Sequence, residues 1–382
     1  MTPFPRLRNV RRPLLRVVIA SLALCGFMTP LVSSVTGTSS GAATKGIQSL
    51  AQSVPLSVGV TRCTFVDHSR GALNYSTKPF SVWSRSRTLV TEIRYPTQYV
   101  AGGPTEIPGA TPLAQSGGYS MIVFAHGYDV TPDTYAPLLD AWARDGFVVV
   151  APFFPDEQPS EIAAQHGVNT EDDLVNEPAD LAFVTRSIIQ ASAAVSPTCP
   201  VVSGLIQPTE IALAGHSDGA QAVGMLAFDH GDDPQGTNYG DLRSGISYRA
   251  VIILSGAEDT AQSYAAEASH PNLLVIQSLA DQCNQFHNDV TLYNAIHQPN
   301  KWFLVLRTAH HLPPFDGDDA PAFRVVAATT DRFLELSLEK AATPSGLSSV
   351  ANQDPSVARL YSGSPGPSQN LAPVIAEKCG PN

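Results

Sequence analysis

Gly215-His216-Ser217-Asp218-Gly219 stands between the apolar run Ile211-Ala212-Leu213-Ala214 and a segment of helix formers, Ala220 to Leu226. The first reads as a buried strand and the second as a helix, so the pentapeptide must turn the chain from one into the other. A turn that sharp puts Ser217 into strained backbone angles. It also demands tiny residues two before and two after the serine, since a side chain there collides with strand or helix. The hydroxyl then projects above the sheet edge, and the first helical turn aims its unpaired N–H groups at the same spot. With Gly at about 7% of residues, a chain of this length shows G-x-S-x-G by chance roughly once in seven cases. What surrounds the pattern therefore decides its meaning.

The surroundings alternate apolar strands with helices. Thr88 to Tyr95 is rich in strand formers and stops at Pro96. Tyr119 to Ala125 is a buried strand, and Tyr135 to Arg144 has helical spacing with Leu138, Leu139 and Trp142 on one side. Gly146 ends that helix before the strand Phe147 to Ala151. A helix over Pro178 to Ala191 follows, then further strands at Ala250 to Leu254, Leu273 to Ile276 and Trp302 to Leu306, and a last helix over Ala322 to Lys340. This order predicts an α/β architecture with a mostly parallel central sheet and helices on both faces. Residues 44–62 read as a loose lead-in. Residues 153–177 read as an irregular stretch, either a lid or a plain surface excursion.

At 382 residues and 43% hydrophobic content the chain can bury a large core. The formal net charge of −11 argues against a nucleic-acid partner. Five arginines, Arg6 to Arg16, precede an apolar stretch from Val17 to Met28 and then small residues through Gly41-Ala42-Ala43. That order is an export signal, expected over 1–43, and the apolar part is too short for a stable membrane span. The expected organisation is then a catalytic domain over 44–340 and a Ser/Pro/Gly-rich tail over 341–382. Beyond the signal lie Cys63, Cys199, Cys283 and Cys379, an even number that suggests two disulfides in an exported chain, with three pairings open. A disulfide to Cys379 would pin the tail. No metal-ligand spacing or phosphate loop appears, so no cofactor and no metal are expected.

Serine is a poor nucleophile at neutral pH and needs a base, and the base needs an orienting acid. Asp281 lies just past the strand ending near Ile276, and His310-His311 follow the strand ending at Leu306. Both fall at the carboxyl edge of the sheet, where such folds place their sites. Asp259, beside Glu258, is the rival acid. The spacing favours His311 over His310 as the base, with Thr308-Ala309-His310 as the turn before it. Two backbone N–H groups are needed for the developing oxyanion. Asp218, after the serine, is one candidate. Tyr128, in Phe124-Ala125-His126-Gly127-Tyr128, is the other, with Gly127 allowing a close turn. His126 and His216 read as structural residues.

On Thr91 to Pro96, Val123 to Tyr128, Asp145 to Val149, Gly215 to Gly219 and Ala309 to His311, the chain resembles the α/β-hydrolase superfamily. It is most similar to the group of dienelactone hydrolases, plasma-type platelet-activating-factor acetylhydrolases and bacterial cutinase-like polyesterases. The resemblance implies an α/β-hydrolase fold over about residues 85–340. It implies Ser217 as nucleophile, His311 as base and Asp281 as acid. Asp218 departs from many relatives, which carry a neutral residue there, and brings a carboxylate close to the oxyanion. Thr308 departs where a Gly often opens the turn.

The expected protein is a secreted, monomeric serine esterase or lipase acting on a small-molecule, lipid or polymer ester. An acyltransferase with the same triad, or a non-catalytic binding protein on the same scaffold, is the alternative. A peptidase of this fold is disfavoured, because the length leaves no room for a propeller or large cap.

Overall fold

The computed structural model describes residues 56–99, 103, 105–256 and 271–373. The expected export segment, Glu258, Asp259 and Cys379 lie outside the described residues. In chain order the strands are β1 (Ser57–Asp67), β2 (Ala72–Asn74), β3 (Ser81–Ser84), β4 (Arg87–Thr97), β5 (Glu106–Pro108) and β6 (Tyr119–Ala125). They continue with β7 (Val148–Pro152), β8 (Ile206–His216), β9 (Tyr248–Leu254), β10 (Asn272–Ser278), β11 (Lys301–Leu306) and β12 (Val357–Ser362). The helices that matter below are α1 (Ala136–Arg144), α2 (Pro159–Ala164), α3 (Glu177–Ala193) and α4 (Asp218–Phe228). With them are α5 (Tyr239–Arg243), α6 (Phe286–Ala295), α7 (Pro313–Asp316), α8 (Ala320–Leu334) and α9 (Pro344–Asn352).

Ten strands make one sheet in the order β12-β11-β10-β9-β8-β6-β7-β4-β1-β5. Its centre, from β11 to β7, is parallel throughout, while β4 and β12 run antiparallel on either side. Alternate residues of the central strands feed opposite faces. Met121, Val123 and Ala125 of β6 join one core, with Leu181 of α3, Val223 of α4 and Val290 of α6. Ile122 and Phe124 join the other, with Leu138 and Trp142 of α1, Val325 of α8 and Leu347 of α9. Both faces are covered, which is why the strands read as continuous apolar runs rather than alternating ones. Each fully buried large apolar side chain contributes about 1.5–3 kcal/mol.

Three segments carry more order than their composition announces. The lead-in holds β1, which pairs antiparallel with β4 along its whole length. The segment expected as a tail folds into α9 and then β12, which extends the sheet beside β11. Backbone pairing there depends on a partner strand, not on local composition, so Ser and Gly content concealed it. The stretch 153–177 includes α2 and a 3-10 turn over Glu171–Asn176. It is tied down by buried charge: Arg87 Nη2 lies 2.7 Å from Asp173 Oδ2 and 2.6 Å from Asp180 Oδ2, all three fully buried. Cys63 on β1 is bonded to Cys199, a closure across a sequence separation of 136. Cys283 is also disulfide-bonded.

Candidate functional site

From β6 the chain crosses by α1 to β7 on one side, and from β7 it returns by α3 to β8 on the other side of β6. The carboxyl ends of β6 and β8 are therefore adjacent at a reversal of strand order, the place where open α/β sheets form their crevice. Ala125 and Gly215 are register partners there. The loop after β6 carries His126-Gly127-Tyr128, and the turn after β8 carries Ser217.

Ser217 has φ 55° and ψ −123°, in the left-handed region that an L residue enters only under constraint. The constraint is visible at the two glycines. A Cβ on Gly215 would lie 2.3 Å from the Gly219 oxygen, and one on Gly219 would lie 2.4 Å from the Ala125 oxygen. Strand, turn and helix are packed backbone to backbone, and only hydrogen fits. Asp218 opens α4, so its N–H is among those with no partner in a preceding turn. Gly127 abuts the nucleophile position: a Cβ there would come within 3.0 Å of Ser217 Cβ. Tyr128 is the next residue, and its phenol oxygen accepts from Thr170 N–H at 3.3 Å.

Asp281 follows β10, and its carboxylate binds three groups at once. Oδ1 accepts from the N–H groups of Cys283 (2.7 Å) and Asn284 (3.0 Å). Oδ2 lies 2.9 Å from His311 Nδ1. Burial alone would raise this carboxyl. The hydrogen bond and attraction of His311, with the two backbone N–H donors, hold it below the usual value. His311 is buried and follows β11, whereas His310 is exposed and meets Gln282 Oε1 at 3.2 Å. Of the two adjacent histidines, His311 contacts the Asp281 carboxylate and His310 meets Gln282.

The structure brings Asp281 and His311 into contact but does not hydrogen-bond Ser217 to His311. The half-buried hydroxyl instead accepts from Asn284 Nδ2 at 3.4 Å, and the same amide donates to the Ser255 carbonyl at 2.7 Å. Asn284 was not legible as a site residue. Its only signal is a position three residues after Asp281.

His216, expected to be structural, is more than packing. Gly127 N–H donates to Tyr135 Oη (3.2 Å), Tyr135 Oη meets His216 Nδ1 (2.7 Å), and His216 Nε2 meets the His311 carbonyl (3.2 Å). The His311 carbonyl can only accept, so His216 donates from Nε2, and in the neutral ring Nδ1 accepts from the phenol. Burial, then the charge of His311, push His216 well below the usual histidine value, only partly offset by its bond to the His311 backbone. His126 is likewise neutral, lowered to about 4 by burial, with Phe154 N–H donating to its Nε2 at 3.1 Å.

Asp218 differs from a solvated aspartate. Its side chain is buried, and burial with the charge of Glu171 pushes it up to about 7. The carboxyl thus holds its proton to higher pH than a solvated aspartate does, which lessens the negative charge near the oxyanion. Oδ2 has no hydrogen-bond partner among the described residues. Glu157 and Glu177, both buried, are raised well above the usual range, first by burial and then by neighbouring acids that include Asp218.

Asp281, Cys283 and His311 place ligand-type atoms within 4.8 Å of one another. A disulfide sulfur is not the thiolate that a metal requires, and His311 Nδ1 is engaged by Asp281, so this donor set does not fit an ion.

A mostly parallel sheet with a strand–Ser217–helix elbow at its carboxyl edge defines an α/β-hydrolase. The chlorophyllase family model matches residues 81–278, and the chain belongs to that family, one of α/β-hydrolase-type ester hydrolases. The match takes in Tyr128 and Ser217 and ends just short of Asp281. It does not single out dienelactone hydrolases, acetylhydrolases or cutinase-like enzymes, so the likeness to those groups stays at the level of the superfamily. No curated protein matches the chain.

Proposed function

We propose that this chain is an exported serine esterase whose triad is Ser217, His311 and Asp281. The observation that carries the reading is the 2.9 Å contact of His311 Nδ1 with Asp281, made beside a serine held at φ 55° on the elbow. In this mechanism Asp281 fixes the tautomer of His311, leaving Nε2 as the base. Ser217 Oγ exchanges its long contact with Asn284 for a hydrogen bond to Nε2 when substrate binds. The hydroxyl attacks the ester carbonyl as its proton passes to His311. The N–H groups of Asp218 and Tyr128 receive the oxyanion. His311 then protonates the leaving alcohol, and water, activated by the same base, frees the acid and restores the serine.

The family name suggests chlorophyll-type esters, bulky and apolar, as the substrate class to test first. Export is supported by the arginine-rich start with its apolar stretch, and by the Cys63–Cys199 bond, which belongs to an oxidising compartment. The test is hydrolysis of p-nitrophenyl esters of increasing acyl length, beside chlorophyll, by wild type and Ser217→Ala. Turnover falls on the order of a million-fold in the variant, by analogy with triad knockouts. Equal rates in the two proteins would remove Ser217 from the role.

A further inference from the structure

The exposed apolar side chains are mostly scattered singly, as at Val66, Leu113, Val175 and Val195, and single ones need no explanation. One group is different. Phe80 (37% exposed), Val82 (64%) and Trp83 (53%) fall together on the hairpin of β2 and β3. Val82 and Trp83 are consecutive in β3, where its register with β2 shifts by one residue, and both are in solvent.

The hairpin also differs from the rest of the chain in charge. The chain as a whole is acidic, yet no Asp or Glu occurs between Asp67 and Glu92. Of the cations in that span, Arg70 and Arg87 are buried in ion pairs, while Lys78 and Arg85 are exposed beside the apolar residues. Lys78 Nζ sits 3.8 Å over the Phe80 ring. Aromatic and aliphatic side chains flanked by cations make up the chemistry of an anionic lipid–water interface, where tryptophan rings settle at headgroup level.

The hairpin is also held firmly at its base. Tyr75, buried, takes the Gln165 side chain on its N–H at 2.6 Å and bonds Asp173 Oδ1 through its hydroxyl at 2.9 Å. Trp83 and Ala72 line a cavity of about 190 Å³ together with Pro155, Asp156, Glu161 and Gln165. From there Thr170 bonds the Asp156 carbonyl through its hydroxyl and the Tyr128 phenol through its N–H. The exposed tip is thus preorganised, and its support leads to the loop beside Ser217.

We propose that the β2–β3 hairpin is a docking element for anionic lipid surfaces. Phe80, Val82 and Trp83 enter the interfacial layer, and Lys78 and Arg85 meet headgroup phosphates. The proposal concerns binding and stands whether or not Ser217 is the nucleophile.

Fluorescence tests it directly on the full chain. Of three tryptophans, Trp142 and Trp302 are 0% and 2% exposed, so Trp83 is the one in solvent. Vesicles of phosphatidylcholine mixed with phosphatidylglycerol should shift its emission to the blue, and brominated acyl chains should quench it. Trp83→Phe should abolish both signals. Val82→Asp should weaken the vesicle titration at least about tenfold. Lys78→Gln and Arg85→Gln should each weaken it roughly fivefold, and less in high salt. The glutamine variants alter exposed side chains and leave the fold as a control, checked by circular dichroism. No shift, a titration indifferent to these substitutions, or equal binding to pure phosphatidylcholine overturns the proposal. A blue shift that needs only higher protein concentration, without lipid, assigns the hairpin to a second copy of the chain instead.

Discussion

His216 and His311 stand with ring centroids 4.5 Å apart, and the side chain of the first bonds the backbone of the second at 3.2 Å. One residue precedes the nucleophile and the other is the proposed base. The contact therefore joins the elbow to the loop after β11, and through Tyr135 it reaches the loop that carries Gly127.

Removing that bridge should cost both stability and turnover. His216→Ala leaves the Tyr135 hydroxyl proton without its acceptor and the His311 carbonyl without its imidazole donor, at about 1–3 kcal/mol for each orphaned group. Urea unfolding measures the loss, and kinetics should show kcat falling more than KM rises. A variant with wild-type Cm and kcat would reduce His216 to filler.

The two adjacent histidines should separate cleanly. His311→Ala is expected to match Ser217→Ala in lost turnover, because members of one triad act as a unit. His310→Ala removes an exposed side chain and should change stability by less than about 0.5 kcal/mol while keeping turnover. Asp281→Asn should lower kcat about 10⁴-fold by favouring the wrong tautomer of His311. A fully active His311→Ala would send the base assignment elsewhere.

Asp218 sets a pH dependence whose sign is fixed by its position. Its folded value of about 7 lies above the ordinary 3.8, so the folded state holds a proton that the unfolded state has released. Stability should fall as pH rises from about 4 to about 7 and then level off, a loss of roughly 4 kcal/mol at most from this group. Asp218→Asn should flatten much of that slope in urea titrations across the range, with Glu157 and Glu177 supplying the remainder. Asp281 works in the opposite sense. Held below its ordinary value, it adds stability above pH 3.8 that is lost only as pH falls through its folded value. An Asp218→Asn protein with an unchanged pH–stability curve would contradict the buried, proton-holding carboxyl.

Arg87 is the third test of buried charge. It neutralises Asp173 and Asp180 where water has no access. Arg87→Ala takes the cation from Asp173 and leaves Asp180 with Arg70 alone, and should cost about 3–5 kcal/mol, read as a lower Cm at constant m. A cost under about 1 kcal/mol would mean the acids protonate without penalty.

Local chemistry made much of this molecule legible in its sequence. The elbow is dictated by steric limits at Gly215 and Gly219, which hold whatever surrounds them. Continuous apolar runs announced β6, β8, β9, β10 and β11, because strands covered on both faces leave no room for polar residues. The preference for His311 over His310 rests on spacing after β11; the contact of His311 with Asp281 is a separate, tertiary fact.

Tertiary structure decided what depends on partners far along the chain. β1 and β12 are strands because β4 and β11 offer them edges, a condition their own composition does not encode. The Tyr135–His216–His311 bridge joins residues from three separate segments and has no sequence pattern. The charge of Asp218 belongs to this second kind as well. Aspartate is an anion by composition, and only the low-polarity packing around α4 makes it an acid that holds its proton to about pH 7.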